Sequence, residues 1–197
     1  MEMEWMRDFF VWDSKDEGNT CVLSVIQKVE KTGRLCRGVE LLNGWPPDAY
    51  FQMDPEFPRN IGLADNLLSA SGLVVISDPL RQFLEGKSAA NIQFLPVGIM
   101  NHKGKLVPGS HFILNPILPQ DCLDLGKSEP AYYNVSPTEI RRVKRLVLDP
   151  KRIDPEVSIF RIKNFWSPVV IKAQLANAIL AAGFSGLSWS NPLEYKG

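Results

Sequence analysis

Leu73-Val74-Val75-Ile76-Ser77-Asp78-Pro79-Leu80-Arg81-Gln82-Phe83-Leu84 is the stretch that decides the fold. Its first four residues form a short continuous apolar run, which suits a buried strand. Ser77 then reads as a helix N-cap, with Asp78 favourable at the positive end of the helix dipole and Pro79 tolerated in a first turn. Leu80, Phe83 and Leu84 fall at i, i+3 and i+4, one apolar stripe on a short helix, and Gly86 stops it. Ile92-Gln93-Phe94-Leu95-Pro96-Val97 is the next strand. His111-Phe112-Ile113-Leu114-Asn115 is another, and Asn101 to Ser110, with Gly104 and Gly109, makes a long hairpin connection between them.

The same grammar returns near the C-terminus. Val169-Val170-Ile171 precedes a helix from about Ala173 to Ala182, stopped by Gly183, and Leu187-Ser188-Trp189 closes as a strand. A shift of 95 residues lays Val74, Val75, Ile76 and Leu80 on Val169, Val170, Ile171 and Leu175, and Leu84, Ile92 and Phe94 on Ile179, Leu187 and Trp189. A true internal repeat and the coincidence of two similar apolar patterns both fit these matches. Each intervening segment is long enough for a crossover, which predicts parallel flanking strands with the helix on one face.

Outward from these units the pattern is looser. Phe9-Phe10-Val11-Trp12 and Cys21-Val22-Leu23-Ser24-Val25-Ile26 read as strands, separated by the turn-forming Asp13 to Asn19. Arg37 to Leu41 reads as a third strand. Tyr50-Phe51-Gln52-Met53 lies among prolines and reads as an extended, irregular connection, since proline cannot donate to a ladder. Asp65 to Leu68 reads as a capped helical turn, and Ser136-Pro137-Thr138-Glu139 as a capping box opening a short helix. Leu146-Val147-Leu148 and Ser158 to Ile162 read as strands. The expectation is an α+β fold: a mixed sheet with few short helices and two strand–helix–strand units that look duplicated. Residues 1–60 form a loop-rich N-terminal β segment and residues 61–197 the α+β core, in one continuous globular body.

Composition narrows the function. The chain has 197 residues, 22 Lys+Arg against 22 Asp+Glu, and 45% hydrophobic residues, ordinary for a folded protein. A zero formal charge disfavours nucleic acid as a partner, because such binding rests on a positive surplus. The charge is uneven, however. Residues 1–70 hold 12 acids and 7 bases, and the remainder 10 and 15. Two halves packed on one another is the simpler reading; two oppositely charged faces is the sharper one. Cys21, Cys36 and Cys122 are odd in number and lack a CxxC pair, which disfavours a disulfide framework and suits a reducing compartment. The N-terminal Met1 to Asp8 carries acids where a signal peptide carries bases, and no window has the ~20 apolar residues of a spanning helix. A cytoplasmic protein away from membranes is expected.

No reactive constellation emerges. HExxH, CxxC pairs, GxSxG, GxGxxG and GxxxxGK[ST] are all missing, and His102 and His111 have no third ligand beside them. Ser110 and His111 are adjacent, so on one strand they point to opposite faces and form no dyad. The acids around Cys122 (Asp121, Asp124) push a thiol pKa the wrong way for a nucleophile. No catalytic residue, metal site or cofactor is assigned. Arg141, Arg142, Lys144 and Arg145 form the one dense charged cluster, read as a solvated strand edge or a secondary basic patch. Tyr132, Tyr133 and Trp45 are of the type that anchors interfaces.

Three blocks of this sequence resemble a known family. The first is Asp65 to Leu68, Val75 to Leu84 and Ile92 to Val97. The second is Phe112 to Asn115 with Cys122 to Asp124. The third is Leu146 to Asp149, Ile159 to Lys163 and Ala182 to Leu187. In this order they are similar to the bacterial immunity-protein domain known as domain of unknown function 1629, grouped with polymorphic-toxin immunity proteins as immunity family eleven. The resemblance covers roughly residues 60–190 and rests on framework positions. It implies a cytoplasmic, non-catalytic protein that binds and neutralises a cognate toxin encoded nearby, by covering about 800 Å² of its surface. For a toxin acting on nucleic acid, an acidic face would mimic the substrate and speed association. The acidic loops with Asp48, Asp54, Glu56 and Asp65, beside Trp45, are the candidates for that face. A homodimer is left open, and a small-molecule-binding or hydrolytic enzyme is the alternative, to be marked by a pocket gathering His111, Ser110 and an acid.

Overall fold

The computed structural model describes residues 8–87 and 91–195, so most of the N-terminal segment Met1 to Asp8 lies outside the described residues. Val75–Ser77 forms β5 and leads straight into helix α1, Asp78–Glu85. Ser77 stays extended and its Oγ accepts the Leu80 N–H at 3.4 Å. Leu80 and Leu84 are wholly buried, each worth about 2 kcal/mol of burial. Strand β6 (Ile92–Met100) and strand β7 (His111–Pro116) follow as a hairpin. β5 and β6 are parallel, as the crossover requires, yet they are not neighbours: β7 lies between them, antiparallel to both. With β2 (Val22–Gln27), β3 (Tyr50–Met53) and β4 (Asn66–Ser69) they close a barrel in the order β2-β3-β6-β7-β5-β4.

The second unit repeats this plan. β11 (Phe165–Lys172) runs into α3 (Ala173–Ala181) and returns as β12 (Leu187–Ser190). β1 (Phe9–Ser14) lies between β11 and β12, antiparallel to both, and β10 (Ile159–Ile162) flanks β11. The order β10-β11-β1-β12 thus matches β4-β5-β7-β6. The match extends to register. Val75, Ile76 and Ser77 face Ile113, Phe112 and His111; Val170, Ile171 and Lys172 face Val11, Phe10 and Phe9. Ile92 to Leu95 face Pro116 to Ile113, and Leu187 to Ser190 face Ser14 to Val11. Shared strand order and the same residue-by-residue pairings across each unit make the two units a structural repeat. Only chain order differs: β7 follows β6, whereas β1 comes from the N-terminus.

The two units share one core that holds equivalent residues from both: Ile76 and Ile171, Leu80 and Leu175, Leu84 and Ile179, Leu114 and Trp12. A second core fills the barrel around Leu23, Phe51 and Leu95. The third lies on the other face of the four-stranded sheet, around Phe160, Ile162 and Phe165. It is covered by a separate two-stranded ribbon, β8 (Pro130–Tyr133) with β9 (Ser136–Val143), which follows the single-turn helix α2 (Leu125–Ser128).

Several local expectations give way to tertiary context. Tyr50 to Met53 is a central barrel strand between β2 and β6, because its prolines all fall outside the paired residues. Asp65 to Leu68 turns no helix: Asn66 to Ser69 pair in the barrel, and the Asp65 carboxylate serves other segments. Ser136 to Glu139 opens β9, with Pro137 in a stretch of shifted register where no ladder donor is lost. Arg37 to Leu41 makes no strand, since Gly38 is left-handed (φ 63°) and Val39 is held by the Asn115 side chain instead of a ladder. Leu146 to Leu148 is buried but carries only an isolated bridge from Leu148 to Leu123.

Candidate interaction surfaces

The five acidic-face candidates are divided between the two ends of β3. Trp45 and Asp48 precede the strand. The Trp45 indole N–H donates to the Pro96 carbonyl at 2.8 Å. Trp45 lines a recess of about 350 Å³ together with Lys28, Lys31 and Arg34, and with Glu30 and Glu40. Asp54 and Glu56 follow the strand, where Asp54 Oδ1 accepts the Glu56 N–H at 2.9 Å and the Asp54 N–H donates to the Val22 carbonyl. Asp65 lies towards this second end, because β4 runs parallel to β2 and Gly62 bridges to Thr20.

Asp65 is committed to the fold. It accepts from Ser77 Oγ at 2.7 Å and from Ser185 N and Oγ, both at 2.9 Å. Burial pushes its carboxyl up, but these three donors together outweigh that and hold it below the ordinary carboxylate value. The neighbouring Gly186 N–H donates to Glu17 Oε1 at 3.1 Å, and the Lys15 N–H to the Gly186 carbonyl. The loop Asp13 to Asn19 therefore brings Asp16 and Glu17, both exposed, to the Asp65 end. Read as a turn, that loop hid two acids; the acid surplus over residues 1–70 was their only signal.

The basic cluster sits on and after β9. Arg141, Arg142, Lys144 and Arg145 are exposed, while Ile140 and Val143 face the core. Lys144 pairs with Glu129 at 3.2 Å and Arg145 Nε donates to the Lys127 carbonyl at 3.0 Å. Tyr132 and Tyr133 on β8 are exposed, and Trp45 is half-buried.

A family model described as Immunity protein family (Imm11) matches residues 21–192. The chain belongs to that family. No curated protein matches it. The family match begins between β1 and β2 and takes in β3, further towards the N-terminus than the framework motifs reached.

Membership in an immunity family implies a non-catalytic role. His111 is buried and its Nδ1 has no hydrogen-bond partner among the described residues; burial pushes its pKa down. Ser110 is exposed and its carbonyl accepts from the Asp78 N–H. Neither residue lines three of the molecule's cavities, of about 350, 400 and 220 Å³. Among the described residues, no three His, Cys, Asp or Glu side chains converge as metal ligands. Cys122 is pushed up to about 12, chiefly by burial and only slightly by Asp121 and Asp149, and burial pushes Cys21 up to about 11. Among the described residues, no helix is long and apolar enough to cross a membrane. Reading Ser158 to Ile162 as a strand did not foretell that Arg161 is fully buried, with Nη1 donating to the Trp166 carbonyl at 2.8 Å.

Proposed function

We propose that this immunity-family protein acts in the cytoplasm by binding a cognate toxin and covering its working surface, without chemistry of its own. The family match across residues 21–192 is the observation that carries this reading. Asp54 and Glu56, with Asp16 and Glu17 beside them, are the proposed toxin-facing acids. Their carboxylates are half-buried or exposed, towards one end of strands β2, β3 and β4. They would meet a basic cleft, steering association and competing with an anionic substrate. Asp65 supports that end by holding Ser77 and Ser185. Trp45 and Asp48, at the other end of β3, form a separate contact zone.

The test is co-expression with the toxin gene next to this one. The Asp54→Lys/Glu56→Lys variant should keep its fold and lose protection, with association slowed at least ~10-fold. Asp48→Lys should have a smaller effect. Unchanged protection by the double variant would reject this face, and a neighbouring toxin that the unaltered protein neither binds nor suppresses would reject the reading.

A further inference from the structure

We propose that the β8–β9 ribbon is a second docking surface, built to take an acidic patch on the same protein partner; the inference rests on the neutralisation reading above. The ribbon is held firmly on its inner side. Ile140 and Val143 are buried in the third core, the Ile140 N–H donates to the Asn164 carbonyl at 2.7 Å, and the Lys144 N–H to the Ser128 carbonyl at 3.0 Å. The ribbon still exposes large side chains near its tip. Tyr132 and Tyr133 are 40% and 42% exposed, and Val135 at the tip is 95% exposed. An exposed apolar tip beside two exposed tyrosines marks a contact surface more than a single scattered side chain does.

The charges around it are selective. Arg37, Lys144 and Arg152 each have a carboxylate within 3.2 Å, from Glu139, Glu129 and Asp121. Arg141 and Arg142 have none among the described residues, although they stand on the ribbon itself. Arg142 lies opposite Ala131, and Arg141 falls at the register shift that turns the strand. Exposed tyrosine beside unpaired arginine is the composition of interface hot spots, and a guanidinium seeks a carboxylate bidentately. A protein surface fits better than a nucleic acid, because the chain has no net positive charge and its acidic end would repel a long polyanion. Two patches of opposite sign also fix a partner's orientation, which one patch cannot do.

The experiment measures association and dissociation of the full chain with the neighbouring-gene toxin at about 50 mM and about 500 mM salt. Arg141→Glu/Arg142→Glu should slow association at least ~10-fold at low salt, with the gap closing at high salt, and Tyr133→Ala should speed dissociation. All three positions are exposed, and melting curves verify that the variants stay folded. If both ribbon variants bind like the unaltered chain while Asp54→Lys/Glu56→Lys weakens binding, the ribbon proposal falls and the neutralisation reading stands. If the unaltered chain does not bind the toxin, both fall. Retention of the chain on duplex RNA at physiological salt, lost in Arg141→Glu/Arg142→Glu, would also overturn the proposal by making the ribbon a nucleic-acid face.

Discussion

The two repeated units share strand order, crossover helix and register, and differ in what lies at their edges. In the first, β4 and β6 go on to pair with β2 and β3, and the sheet closes into a barrel. In the second, β10 and β12 end the sheet, and its outer face is covered by the ribbon. The places where each unit grips the other also differ. At one junction Asn66 Nδ2 donates to the Gly186 carbonyl at 2.9 Å and the Asn66 N–H to the Ser185 carbonyl. At the other, Asn91 Nδ2 donates to the Ile159 carbonyl at 2.8 Å. Asn91 and Gly186 are equivalent positions, as are Ile159 and Asn66. The framework is thus duplicated, whereas the charged residues gather where the duplication is broken: Asp65 and Glu17 occur at the first junction only.

The largest test of this asymmetry is steric. A Cβ on Gly186 would lie 2.2 Å from the Asn66 carbonyl oxygen and 2.7 Å from Ala64 Cβ, and Gly186 has a φ of 74°. Backbone must move to admit it, so Gly186→Ala should destabilise by about 3 kcal/mol or more. At the equivalent junction Asn91→Ala removes a buried hydrogen bond, which costs about 1–3 kcal/mol. Urea unfolding of both variants measures the difference. If Asn91→Ala costs as much as Gly186→Ala, the two junctions are equally tight and the asymmetry is lost.

The same comparison explains what could be read from sequence. β5, α1, β6, β11, α3 and β12 were legible because apolar run, cap, stripe and glycine stop all agree within a dozen residues. β3, β4 and β9 were not, because their local signals, prolines and capping acids, point elsewhere, even though β9 is joined to its partner β8 by a two-residue turn. The parallel crossover was foreseeable from segment length. The strand threaded through it was not, since in one unit it arrives from residues 9–14 and in the other from 111–116. Surface chemistry was the least legible. Asp54 and Asp48 are close in sequence, yet four residues of β3 carry them apart, while Glu17 and Asp65 meet on Ser185 and Gly186.

A smaller effect separates the units by pH. His111 and Phe9 occupy equivalent places, opposite Ser77 and Lys172. Burial holds His111 below its ordinary pKa, so the unfolded chain takes up that proton first. The stability tied to neutral His111 is whole above about pH 6.5 and declines as pH falls through that value and on through the lower folded pKa. Asp65 acts in the same direction but only near and below about pH 4, where carboxylates titrate. Between pH 7.5 and 5.5, His111→Phe should therefore flatten the fall in denaturation midpoint. A variant whose midpoint falls as steeply as the unaltered chain's would locate the acid sensitivity outside this pair.

The smallest effect is at the two helix starts, where opposite substitutions should have opposite signs. Ser77 caps α1 and also donates to Asp65, so Ser77→Ala should cost about 1–2 kcal/mol. Lys172 precedes α3 without a side-chain cap, and the Ala173 N–H is already taken by the Asp8 carbonyl at 2.8 Å. Lys172→Ser would offer an acceptor to the N–H groups of the first turn that remain, a gain of up to about 1 kcal/mol. The substitution also removes the Lys172 Nζ contact with the Pro155 carbonyl. That contact is exposed and neutral on one side, so it offsets only part of the gain. A net loss in Lys172→Ser would mean that the lysine, rather than the missing cap, is what the second unit has specialised at this position. The two helix starts would then be alternative solutions to one joint rather than a capped and an uncapped copy.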